Sequence, residues 1–172
     1  MATRLRPGDA LAPAPSPLDR EGATTSLLRR GLLWLGALTS AGTAVELAVE
    51  RHWSQPIMLL AWAAVAAAAV ALGLVGLRPT AGRIRLARAL AALVVLTALV
   101  GVGEHVYANF DAGSLDQHFA STWDRLSLPT RLWLAVSKTV GPSPPLAPGA
   151  LVQGAVCALL ASARHPVAAR PL

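Results

Sequence analysis

The chain has 172 residues, of which 54% are hydrophobic and 14% charged, against about 45–50% and about 25% for an average soluble domain. That length suits one domain, and its apolar residues gather into long runs rather than short periodic stripes, the pattern of a membrane protein and not of a soluble core. The net charge of +6 does not point to nucleic acid. The basic residues flank the apolar runs, where they set topology, and form no stripe interleaved with aromatics.

Residues 1–26 hold Pro7, Pro13, Pro15 and Pro17 among Ala, Ser, Asp and Arg. Proline at that density blocks helix, and without apolar periodicity the segment reads as a disordered cytoplasmic tail. The first span is expected over 27–51, its apolar stretch following the Arg29-Arg30 pair, without signal-peptide cleavage. Gly36 and Ser40, and Thr39 and Thr43, lie four apart, which permits close helix contact. The alanine-rich second span covers 56–77 and starts on Pro56, whose missing N–H costs nothing there. The third covers 84–107. The fourth, 148–163, is the shortest, and Gln153 within it could hydrogen-bond a neighbouring helix.

A polar connection, 108–147, joins the last two spans. Within it 129–140 has Leu132, Val136 and Val140 at fourfold spacing beside Trp133, too short for a bilayer core of about 30 Å. It reads as an interfacial helix with Leu132, Trp133 and Val136 toward lipid or bundle. Trp53, Trp123 and Trp133 fit an outer aromatic belt. The lone cysteine, Cys157, lies in the fourth apolar run, so no intramolecular disulfide or CxxC chemistry is available. The fold expected is therefore an all-α integral membrane bundle of four transmembrane helices, 27–166, with one short interfacial helix.

Charge sets the orientation. Arg4, Arg6, Arg20, Arg29, Arg30, Arg78, Arg83, Arg85, Arg88, Arg164 and Arg170 fall on one side, eleven basic residues against four (Arg51, Arg125, Arg131, Lys138) on the other. By the positive-inside rule both termini face the cytoplasm and 108–147 faces out of the inner membrane.

Glu46 is sixteen residues beyond Arg30, and Glu104 sixteen beyond Arg88. At about 1.5 Å per residue each lies about 24 Å from its arginine, at matching depth near the outer edge of the hydrocarbon. Glu50 is one turn above Glu46, and His52, His105 and His118 fall on the same side. Thr97, Gly101 and His105 share one face of the third helix. Embedded carboxylates are costly and normally face the bundle interior with partners. Three alternatives stay open. Glu46 and Glu104 could pair with Arg51, His105 or backbone groups and pin the helix ends. Glu46, Glu50, His52, Glu104 and His105 could ligate a divalent metal such as zinc, copper or iron. A carboxylate–histidine pair could carry protons or bind a quinone or other small ligand. No spacing matches a strong metal motif, and no G-x-S-x-G elbow or phosphate cradle is present.

The segments GTAVELAVERHW (42–53), GVGEHVYANFD (101–111) and LAPGALVQGAVCALLASARHP (146–166) resemble a group of small, uncharacterised bacterial four-helix integral membrane proteins. That resemblance implies the four-helix topology and no activity, since none is attached to the group. An accessory or structural membrane protein ranks first, with the lipid bilayer and a homo-oligomer or larger membrane complex as partners and no nucleic acid. An outward-facing metal- or small-ligand-binding protein ranks second, and an enzyme below both.

Overall fold

A computed structural model of the chain describes residues 17–169, with side chains from 22 to 167. Among these residues the secondary structure is helical throughout, with no strand: α1 (Pro17–Val49), α2 (Leu59–Gly76), α3 (Ala81–Ala112), α4 (Leu128–Val136) and α5 (Gly149–Ser162). Short 3-10 turns occupy Pro56–Met58, Gly113–Leu115, Trp123–Arg125 and Pro166–Ala169. The stretches Gly22–Val49, Pro56–Gly76 and Ala81–Leu115, of 28, 21 and 35 residues, are long and apolar enough to cross a membrane. α5 has 14 residues, so it measures about 21 Å.

Several boundaries differ from the sequence reading. α1 starts at Pro17, so 17–26, expected to be disordered, are helical, and the rest of the expected tail lies outside the described residues. Pro17 sits where a helix has no use for an N–H. α3 runs on to Ala112, taking 108–112 from the expected connection, because no breaker intervenes before Gly113. α4 ends at Val136, four residues short of the expected Val140, where Lys138 turns left-handed with φ 56°.

α5 is the centre of the bundle and packs against α1, α2 and α3. It is antiparallel to α1 and α3: Pro148 at its start meets Gly101, and Ser162 at its end meets Arg88. Small residues make this possible. On α1 the buried face is Gly36, Ser40, Thr43 and Leu47, the helical spacing that sequence suggested. A Cβ at Gly36 would stand 3.1 Å from Cys157 Cβ and 2.7 Å from Leu72 Cδ2, while a Cβ at Gly154 would stand 3.2 Å from Ser40 Oγ. On α2 and α3, Ala64, Ala68, Ala71, Ala87, Ala91 and Ala98 fill the interior. Gln153, by contrast, is exposed, so α5 is held by close backbone approach rather than by that amide.

The outside inverts the soluble pattern. Trp34, Leu38, Leu93, Leu96, Leu99 and Leu160 are exposed while alanine and glycine are buried, an arrangement that water does not favour and hydrocarbon does. The hydroxyls of Thr39 and Thr43 bond back to Leu35 O and Thr39 O at 2.9 and 3.0 Å, so neither needs solvent.

A second, smaller core lies under the 113–147 connection, where Trp123, Ala135 and Val140 pack with Phe110, Phe119 and Leu134. Trp123 is 3% exposed, which removes it from the expected aromatic belt. It covers Gly113, where a Cβ would come within 2.3 Å of its ring, and meets Phe110 edge-on. Trp53 and Trp133 remain exposed, as do Leu132 and Val136 on α4.

Candidate functional site

The last turn of α1 aligns Glu46 and Glu50, with Glu50 N–H donating to Glu46 O at 2.9 Å. The helix then closes in a Schellman turn. Arg51, left-handed at φ 52°, donates its N–H to Ala48 O at 3.1 Å, and His52 N–H donates to Leu47 O at 2.8 Å. Glycine usually holds that left-handed position, so an arginine there gave the sequence no signal of the turn. Trp62 Nε1 donates to His52 O at 2.9 Å and ties the turn to α2.

On α3, Thr97, Gly101, Glu104, His105 and Ala108 form one stripe facing this turn. The Nδ1 of His105 lies 2.7 Å from Pro144 O. A carbonyl only accepts, so Nδ1 carries a proton, and in the neutral ring Nε2 is left as an acceptor. The preceding residue, Ser143, is held by Asn109, which is fully buried. Asn109 Nδ2 donates to Ala135 O at 3.0 Å and to Ser143 O at 2.7 Å, and Ser143 N–H donates to Asn109 Oδ1 at 2.9 Å. Gly141, at φ 79°, lies against Asn109 so closely that a Cβ would stand 2.5 Å from the Asn109 Cα.

These elements enclose a cavity of about 330 Å³, at the small end of the range for ligand sites. Glu46, Glu50, His52, Glu104 and His105 all line it, so the structure brings the five residues of the sequence-derived cluster together. Its walls are otherwise largely apolar, with Leu47, Ile57, Leu60, Val100 and Leu151 among them, and no lysine or arginine lines it. His118 is exposed elsewhere, its N–H donating to Asp116 Oδ1 at 2.9 Å.

Sharing a cavity is not sharing an ion. Among the described residues no group of three or more His, Cys, Asp or Glu is arranged to hold a metal. Nor do the expected helix pins form: among the described residues the carboxylates of Glu46, Glu50 and Glu104 have no hydrogen-bond or ion-pair partner. The pins are instead Asn109 and His105 of α3, bonded to the backbone of the connection. Sequence reasoning missed Asn109, Gln55 and Ser143. Asn109 alone carried a signal, as a polar residue on the helical stripe of Ala98, Gly101 and His105.

The opposite end of the bundle holds the arginines. Arg29 Nε donates to Ala161 O at 2.9 Å; Arg88 Nε donates to Ser162 Oγ at 3.1 Å and its Nη2 to Ser162 O. Two guanidiniums from α1 and α3 thus cap the last carbonyls of α5 and complement its dipole. His165 is buried beside them. Burial first, then the positive charges of Arg29 and Arg88, hold its pKa below the usual histidine value.

Fold and site together define an all-α protein with three helices apolar enough to cross a membrane and an acidic, apolar-walled cavity at one end. Comparison with protein-family models, with curated proteins and with solved structures finds no match to the chain.

Proposed function

We propose that this chain is a four-span protein of the cytoplasmic membrane, both termini inside, that binds a small amphipathic organic cation in the cavity at its outer end. The observation that carries the reading is the composition of the cavity: three carboxylates without partners among the described residues, two imidazoles, apolar walls and no lysine or arginine. A charged site of this kind attracts a positive ligand and rejects anions. Dispersed carboxylates suit a cation whose charge is spread over a bulky body, whereas a compact metal ion needs its ligands gathered at about 2.0–2.6 Å. A neutral quinone offers the carboxylates nothing.

The membrane part of the proposal rests on the exposed leucines, the small-residue interior and the eleven-to-four division of basic residues. The fourth span has a physical rationale despite the 14 residues of α5. The two ends of α5 meet protein, Pro148 against Gly101 and Ser162 against Arg88, and irregular backbone at depth is tolerated in that setting. Arg29 and Arg88 satisfy its last carbonyls.

The test is binding of tetraphenylphosphonium, a lipophilic cation, to detergent-purified protein by equilibrium dialysis. Wild type is expected to bind it saturably, and Glu46→Gln and Glu104→Gln each to weaken binding about fivefold to tenfold, which is about 1–1.4 kcal/mol. Equal affinity for the uncharged analogue tetraphenylmethane, or no effect of either substitution, contradicts the proposal.

A further inference from the structure

A second concavity, of about 620 Å³, runs along the outside of the bundle between α1 and α2. Its floor is made of small side chains, Ala37, Ala41, Ala69 and Gly73 among them, and its two exceptional residues sit at one end. Arg30 is exposed, and among the described residues its guanidinium has no hydrogen-bond or ion-pair partner. That sets it apart from Arg29, which is engaged with Ala161 O. Trp34, one turn along, is 78% exposed. An unpaired arginine one turn from an exposed tryptophan is the pair expected at the headgroup level, where amphipathic aromatics settle.

Depth matches this assignment. One leaflet is half of a hydrocarbon core of about 30 Å, or about 15 Å. Ten residues of helix from Arg30 cover about 15 Å and end at Ser40, and the groove continues past it to Ala44. A chain descending from a headgroup at Arg30 therefore stays in the groove to the bilayer midplane. A second copy of the protein fits less well. Two copies in one membrane share an orientation, so a two-fold contact through this groove brings Arg30 to Arg30 at equal depth, and nothing acidic lines the groove to offset that repulsion.

We infer that the α1–α2 groove holds one acyl chain of an anionic phospholipid of the cytoplasmic leaflet, with the phosphate on Arg30. The inference rests on the membrane reading above and is independent of what the outer cavity binds. Arg30 supplies the charge-assisted hydrogen bonds to phosphate oxygens, and the alanine and glycine floor supplies room for a methylene chain.

The experiment uses the full chain extracted from membranes in mild non-ionic detergent, with retained phospholipid counted by headgroup class. Wild type is expected to carry about one anionic phospholipid per chain. Arg30→Gln should retain about fivefold less, the effect of one basic residue at an anionic surface. Gly73→Leu is the steric test. A Cβ there meets no heavy atom within 4 Å, so leucine fills the groove without disturbing helix packing, and lipid should be lost while the melting temperature is kept. Equal retention by wild type and Gly73→Leu, or retention of zwitterionic lipid as tightly as anionic, overturns the inference while leaving the membrane reading intact. So does a dimer that Gly73→Leu converts to monomer without changing lipid content, which assigns the groove to a second copy. Recovery of the chain in the soluble fraction overturns both.

Discussion

Replacing Asn109 by alanine removes a buried side chain of α3 that fastens the second half of the 113–147 connection at two points of its backbone, Ala135 and Ser143. The side chain is fully buried and makes three hydrogen bonds, to Ala135 O, Ser143 O and Ser143 N–H. At about 1 kcal/mol net for each, the loss is about 3 kcal/mol, and more if the orphaned groups stay dry. The penalty should be local. Trp123, Ala135 and Val140 form a core separate from the one that holds α1, α2, α3 and α5 together, so the connection can open while the bundle stays closed. Hydrogen exchange by mass spectrometry reads this directly. Amides of 134–144 should exchange about a hundredfold faster, since about 1.4 kcal/mol is tenfold, while those of α2 keep their protection. Because Ser143 lines the cavity and Pro144 O holds His105, tetraphenylphosphonium binding should weaken as well. Unchanged exchange in 134–144, or equal acceleration throughout α2, refutes the assignment of Asn109 as the loop anchor.

Two further outcomes follow from the arginine-capped end. Arg88→Met removes two charge-assisted bonds to Ser162 and leaves its carbonyl only the His165 N–H at 3.3 Å, with an expected loss of about 2–3 kcal/mol by thermal melting in detergent. His165 predicts the pH response. Its pKa is lowered in the folded chain by burial and by Arg29 and Arg88, so the unfolded chain binds the proton more readily. The contribution is therefore full above the ordinary histidine pKa of about 6.5 and is lost as pH falls through it toward the lowered folded value. The fall in melting temperature between pH 7.5 and pH 5 should shrink in His165→Gln, and an identical pH profile in that variant contradicts the assignment.

Hydrophobic run length made three long apolar helices legible, and positional arithmetic made the cavity legible: Glu46 and Glu104, each sixteen residues past an arginine, do line one cavity. What those residues do there was not legible. Glu–His proximity in sequence suggested metal ligands or ion-paired pins, but the side chains surround an open volume instead of converging, a matter of helix rotation that spacing alone does not fix. Trp123 shows the same limit. Its place in a polar connection suggested the membrane interface, yet it is buried by a contact with Gly113 ten residues earlier. Arg29 and Arg88 were read only as topology signals, because a cap on a helix more than seventy residues away leaves no local pattern. Arg51 hid the end of α1 by taking a conformation that glycine normally advertises.

Labelling intact cells with an impermeant thiol reagent tests most directly whether the acidic cavity faces outward from a membrane-embedded bundle. In a Cys157→Ala background, Gln55→Cys, on the cavity wall, and Ser114→Cys, at the start of the 113–147 connection, should both label from outside. Thr80→Cys, in the turn between α2 and α3, should label only after the membrane is permeabilised. Labelling of Thr80→Cys in intact cells, or protection of Gln55→Cys until permeabilisation, contradicts an outward-facing cavity.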